Sequence, residues 1–263
     1  MKTKTIGIVG GMGPEAGMLL FNSILTHTKA ATDQGHLPVL LMSCPAEITD
    51  RTSFLEGLVS VNPAFSVAKI IRKLELAGAE IIGLACNTIH APEIFDVLKA
   101  ELRRVGCLAQ LLNMPVETCC YLRGNYPAIH KVGLMATVGT YKTGLYKNTL
   151  QQMGYEVIMP PPDFQRSVIH RMIYDPEFGL KANANNITAQ AVARMDAAIK
   201  FFEEEKAEAI ILGCTELPLV IAGAKCNYNV PLISSTDALA LALIREASQV
   251  TTPTNEQAAT YSF

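Results

Sequence analysis

The chain has 263 residues, 49% of them hydrophobic and 17% charged, with a formal net charge of −2. A chain of this size and composition buries a real core and is not disordered. The charge balance gives no electrostatic footprint for nucleic acid or an anionic membrane, and no apolar run reaches the roughly 18 residues of a membrane span.

Residues 5–9 read as a short buried strand that breaks into Gly10 and Gly11, a pattern that argues against a signal peptide. Pro14 suits the first position of a helix running to about residue 30. A second buried strand covers 38–42, and a loop follows with Pro45 and Asp50-Arg51-Thr52. Asn62-Pro63 opens a helix that Gly78 stops near 77. Strand 80–85 runs directly into Cys86-Asn87-Thr88, and Pro92 opens a helix to about 104. A strand at 108–112 and a helix at 115–123 complete the first half.

The order then restarts. A strand over 131–136 leads to the turn Thr137-Val138-Gly139-Thr140 and a helix over 143–153 closed by Gly154. After a strand at 156–159 come three prolines, a helix over 164–174 and a loop holding Asp175-Pro176-Glu177-Phe178-Gly179. A long helix over 185–205 precedes strand 208–213, which ends in Cys214. A last strand at 230–233, a helix over 236–247 and a polar tail over 251–263 finish the chain.

Overlay of Ile6-Gly7 on Val132-Gly133 gives an offset of 132 − 6 = 126, and the two cysteines differ by 214 − 86 = 128. An offset that holds to within two residues supports two copies of one unit. Alternating helices and continuously apolar strands argue for parallel sheets covered by helices. The predicted fold is therefore α/β: two pseudo-symmetric domains, 1–125 and 126–250, each a parallel sheet flanked by helices, with a C-terminal helix free to pack across. Such folds bind ligands beyond the carboxyl ends of their strands, where both cysteines fall, so the site is expected in the cleft between the domains.

Seven cysteines, an odd number without Cys-x-x-Cys spacing, do not form a disulfide framework. They point to a reducing cytoplasm and to thiols free for chemistry. A thiol between a strand end and a helix start lies near backbone N–H groups and a positive helix end, which stabilise the thiolate. Asn87, Thr88 and Thr215 beside the two thiols are candidates to bind a carboxylate. Read singly, Cys86 or Cys214 is as well explained as a small buried residue. Read together, they suggest a pair of bases on opposite faces of one carbon: one removes a Cα proton and the other returns one, with no cofactor. Two thiolates in one cleft repel, so the pair titrates in coupled steps.

Gly10-Gly11-Met12-Gly13-Pro14, Ala85-Cys86-Asn87-Thr88-x-His90 and Gly213-Cys214-Thr215-Glu216-Leu217 resemble the motifs of the cofactor-independent aspartate/glutamate racemase family, and its aspartate racemases most closely. The resemblance spans about 5–245. It implies a dimer of two-domain chains acting on a small amino acid, with Cys86 and Cys214 as acid and base. It also implies that Arg51 contacts a substrate carboxylate, that Lys181 pairs with another, and that Met12, Asn87, Thr88, Thr137, Thr140 and Thr215 line the substrate site. The loop before Lys181 is longer than the pattern. Some relatives replace one cysteine by threonine; this chain keeps both, which favours racemisation.

On the residues alone, Arg51 and Lys181 read more readily as solvated loop residues. His90 either polarises Cys86 or caps and packs, and Glu216 either tunes Cys214 or caps the next helix. His27, His36, His130 and His170 lack ligand spacing, so no metal is expected. Gly11-x-Gly13-x-x-Ala16 fits a dinucleotide fingerprint, but the following strand ends Met42-Ser43-Cys44, without the acidic residue that a ribose requires.

Overall fold

The computed structural model describes residues 3–224 and 228–249. The tail expected over 251–263 lies outside them. Eight strands form two four-stranded sheets among these residues. The first sheet contains β1 (Ile6–Gly10), β2 (Val39–Ser43), β3 (Ile81–Leu84) and β4 (Gln110–Leu111), in the order β2-β1-β3-β4. The second contains β5 (Lys131–Ala136), β6 (Glu156–Ile158), β7 (Ala209–Gly213) and β8 (Leu232–Ser234), in the order β6-β5-β7-β8. Every pairing is parallel. The same strand permutation in both halves is the structural form of the sequence repeat.

Parallel sheets need both faces covered. In the first half, helices Ala64–Leu76 and Pro92–Arg104 bury Val67, Ile70, Ile71, Ile94 and Leu98 against Val9, Ile82 and Leu84. The opposite face carries helix Pro14–His27 and, from the far end of the chain, Ser235–Ser248, whose Leu239 and Leu243 pack with Ile6, Ile8 and Leu20. The second sheet has the reciprocal arrangement. Helix Met114–Asn125, which precedes β5, packs Cys119 and Leu122 against Val132 and Leu134 beside helix Leu145–Gln152. Helix Ala189–Glu204 covers the other face through Met195, Ile199 and Phe202.

Gly133 on β5 shows why a small residue is required there: a Cβ would lie 2.5 Å from the Phe202 ring. Gly7, its repeat partner on β1, has Ile82 and Ala79 at 2.7 and 2.8 Å from the same position.

Three local expectations are corrected. The loop at Asp50-Arg51-Thr52 is the start of a short helix, Arg51–Leu55, because the Asp50 carboxylate accepts the Ser53 N–H at 2.8 Å and caps it. The turn at Thr137 to Thr140 likewise opens a helix, Val138–Lys142, capped by Thr137, and Gly144 at φ 65° separates it from Leu145–Gln152. The helix expected over 164–174 is broken into Pro162–Phe164, a π-helical stretch Gln165–His170 and Arg171–Tyr174. Within it, buried Gln165 donates to the Ala136 carbonyl at the end of β5.

Candidate active site

The carboxyl ends of β1 and β3 face those of β5 and β7 across a small cavity. Met12, Arg51, Cys86, Asn87, Thr88, Thr137, Tyr174, Lys181, Gly213, Cys214, Thr215 and Glu216 line it. Its volume is about 10 Å³, room for one water molecule. Every residue that the family resemblance assigns to the site lies here except Thr140, whose hydroxyl backs those of Thr88 and Thr137. The Thr140 and Thr137 hydroxyls each lie 3.0 Å from the Thr88 hydroxyl, so a ring of three hydroxyls joins the two halves.

Cys214 follows β7 directly, Cys86 follows β3 after one intervening residue, and both are 5% exposed. Their surroundings differ. Cys86 faces the Arg51 guanidinium. The Cys214 thiol donates to Glu216 Oε2 at 2.9 Å, and Thr215 donates its hydroxyl to the same oxygen at 3.1 Å. Lys181 Nζ lies 2.5 Å from Glu216 Oε1, which also accepts the Gly13 N–H at 3.3 Å. Burial alone would push the Glu216 carboxyl up; Lys181 and the hydrogen bonds from Cys214, Lys181 and Thr215 hold it at about 2. Burial pushes the Cys214 thiol up, the Glu216 charge pushes it further, and Lys181 opposes this. At Cys214, burial first and the neighbouring carboxylate second therefore work against the acidification expected of a strand-end thiol.

The cations converge. Arg51 Nη2 donates to the Met12 carbonyl at 2.8 Å, and Lys181 Nζ reaches the same oxygen at 3.4 Å. Arg51 is 6% exposed, and its buried Nε has no hydrogen-bond partner. A buried N–H without a partner at a cavity wall is a donor left for an anionic guest. Asn87 has less freedom: its Nδ2 donates to Ser235 Oγ at 3.0 Å, and its Oδ1 accepts from Tyr146 at 2.5 Å. The long loop before Lys181 is pinned, since the Leu180 and Lys181 N–H groups donate to Met172 and Ile173 carbonyls. The Asp175 carboxylate, paired with Arg171 at 2.6 Å, accepts the Glu177 and Phe178 N–H groups.

His90 does not touch either thiol. Its Nδ1 lies 2.9 Å from the Cys86 carbonyl oxygen, and its Nε2 accepts the Met114 N–H at 3.4 Å. Burial pushes its pKa down to about 4, against the carbonyls that favour the cation. It is a neutral brace between the Cys86 turn and the start of helix Met114–Asn125. Of the polar side chains on the wall, Tyr174 escaped the sequence reading altogether, and Glu216 was read only as tuning Cys214 or capping a helix. Tyr174 bonds through its hydroxyl to Asp50 and Thr52 at 3.2 and 3.3 Å, lies under Lys181, and carried no motif of its own. Glu216 was visible beside Cys214, but its contact with Lys181 spans 216 − 181 = 35 residues.

The glycine loop leaves no phosphate cradle: Gly13 N–H, where a phosphate would sit, is taken by the Glu216 carboxylate. Among the described residues, no group of three or more His, Cys, Asp or Glu side chains is placed to hold a metal ion, and no helix is long and apolar enough to cross a membrane.

Comparison with known proteins adds a family. Residues 9–243 match the model of the Asp/Glu/Hydantoin racemase family. The Picrophilus torridus aspartate racemase superposes with a TM-score of 0.76 at 30% identity, covering 93% of this chain and 94% of that one. An aspartate racemase homologue from Pyrococcus horikoshii OT3 gives 0.66 at 25% identity, covering 94% and 100%. The broad specificity amino-acid racemase RacX of Bacillus subtilis is 24% identical over 250 residues, 89% of this chain and 94% of RacX.

Proposed function

The chain belongs to the Asp/Glu/Hydantoin racemase family and is an amino-acid racemase, an isomerase; from that premise we propose that it interconverts L- and D-aspartate by two-thiol proton transfer, without a cofactor. The observation that carries this reading is the convergence of Cys86 and Cys214 on one cavity with Arg51 and Lys181 on the shared Met12 carbonyl. One sulfur takes the Cα proton while the other gives a proton to the opposite face. Arg51, through its free Nε, and Lys181 hold the two carboxylates, so negative charge developing on the α-carboxylate meets a cation. Met12, Asn87, Thr88, Thr137 and Thr215 shape the wall, and Thr140 holds Thr88 and Thr137. The small cavity requires the walls to part for entry. A homodimer in the cytoplasm, each chain divided near residue 125, completes the proposal.

A second reading is broad specificity. It is favoured by a 200 Å³ recess beside the cavity, lined in part by Met12, Pro14, Leu180 and Ala184, where a longer apolar side chain would fit.

The test is α-proton exchange in D₂O, followed by NMR with chiral analysis, for L-aspartate, D-aspartate, L-glutamate and L-leucine. Exchange and racemisation of aspartate, lost in Cys86→Ser and Cys214→Ser, support the proposal. Faster turnover of leucine than of aspartate replaces it with broad specificity. No exchange with any amino acid overturns both readings.

A further inference from the structure

The two thiols are equivalent by repeat position and equal in exposure, yet they face opposite charges. On one side Cys86 faces Arg51, behind which stand Asp50 and Tyr174, while His90 holds the Cys86 backbone carbonyl. On the other, Cys214 faces Glu216 and Lys181, with the buried Tyr146 phenol beyond. The Glu216 carboxylate divides its oxygens: Oε1 takes Lys181 and Gly13, and Oε2 takes the Cys214 thiol and the Thr215 hydroxyl. An acceptor filled in this way holds a proton on its neighbouring sulfur. A thiolate at Cys214 would replace a hydrogen bond with two anions 2.9 Å apart.

We propose that Glu216 is a positioning residue that keeps the resting proton on Cys214, so that the free protein carries its acid at Cys214 and its base at Cys86. This rests on the racemase reading above and adds a direction to it. In the first turnover the Cα proton passes to the Cys86 sulfur, and the C–H electron pair stays on the substrate carbon. That carbon takes the Cys214 proton on its other face. Cys214 is left as a thiolate beside the Glu216 carboxylate, with Lys181 and the Glu216 backbone N–H to offset the repulsion. Release of a proton from Cys86 to water and uptake of one by Cys214 restores the resting form with no net change. The two enantiomers have equal free energy in water, so kcat/KM is the same in both directions. The asymmetry therefore falls on kcat and KM separately.

The experiment needs no substrate and so stands apart from the racemase test. Wild-type protein and Glu216→Gln are treated with iodoacetamide from pH 5.5 to 10, and each cysteine is followed by peptide mass spectrometry. The midpoint of each rate–pH curve reports the thiolate and is independent of a constant access factor. In wild type the Cys86 midpoint is expected at least one pH unit below that of Cys214, about a tenfold difference in thiolate fraction at pH 7. In Glu216→Gln the Cys214 midpoint is expected to fall by about one unit or more while Cys86 moves by much less. Equal midpoints in wild type, or a lower one at Cys214, overturn the proposal. So does a Glu216→Gln protein of native circular dichroism whose Cys214 curve is unchanged. If that variant does not fold, the wild-type comparison decides alone.

Discussion

Arg51 is buried and spends one nitrogen on Met12 and another, at 3.4 Å, on Thr49, yet keeps Nε unpaired. If that N–H receives a substrate carboxylate, Arg51→Ala raises KM for aspartate by tenfold or more, since a charged hydrogen bond is worth about 1.5–3 kcal/mol. An unchanged KM in initial-rate measurements removes Arg51 from the binding role. Arg51→Lys restores little, because a single ammonium nitrogen cannot reproduce the planar fork that presents separate nitrogens to Thr49, to Met12 and to a guest. His90 makes a different prediction, about stability. Its folded pKa of about 4 lies below the ordinary 6.5, so between these values the unfolded chain binds the extra proton. Stability is full above pH 6.5 and falls as pH drops towards 4, by about 3 kcal/mol in all. Urea unfolding at pH 7.5 and 4.5 should show that loss in wild type and much less of it in His90→Asn, which keeps a donor and an acceptor. Equal pH slopes in the two proteins remove His90 as the source. The cysteines, the threonines and Asn87 could be placed at this scale because each follows a strand end that hydrophobic runs made visible. Tyr174 could not, because the partners that aim it, Asp50 and Thr52, lie over 120 residues away.

At the scale of the element, the strands were legible because parallel sheets buried on both faces leave continuous apolar runs, as in Ile81–Leu84 and Ala209–Gly213. The short pieces were not. Arg51–Leu55 and Val138–Lys142 are five residues each, too short for periodicity, and only a capping Asp50 or Thr137 marks them. The π-helical stretch at Gln165–His170 has no pattern in local sequence; the visible tertiary tie there is Gln165 on Ala136. Packing of element on element also fixes what glycines allow. Gly133→Ala places a methyl 2.5 Å from Phe202, an overpacking expected to cost about 1–3 kcal/mol. Phe202→Leu in the same chain should recover part of that loss, because it shortens the side chain in contact. Chemical denaturation of the single and double variants measures this coupling. Additive losses would mean that Phe202 moves aside freely and that the close approach has no energetic weight.

The whole molecule is tied together by exchanged helices. The helix that precedes β5 packs on the second sheet, while the last helix of the chain returns to the first sheet, laying Leu243 against Gly83 of β3. Sequence order alone places Ser235–Ser248 with the second half; only its apolar face, Leu239 and Leu243 among others, hints that it has a surface to cover elsewhere. Hydrogen bonds across the cleft strengthen the tie: Asn87 meets Ser235 and Tyr146, and Thr88 meets Thr137 and Thr140. A chain connected in this way should not unfold half by half. Leu243→Ala removes a fully buried side chain from the first sheet and is expected to destabilise by about 2–5 kcal/mol. The informative reading is where that loss appears. Native-state hydrogen exchange should show amides of β1 and of β5 losing protection together, since opening the first sheet releases the helix that the second half supplies. Loss confined to β1, β2 and β3, with β5 and β7 unchanged, would mean that the halves open independently. The cavity between them would then be a docked interface that opens without unfolding either sheet. Joint loss would mean that substrate entry has to come from smaller movements of the walls around Lys181 and Arg51.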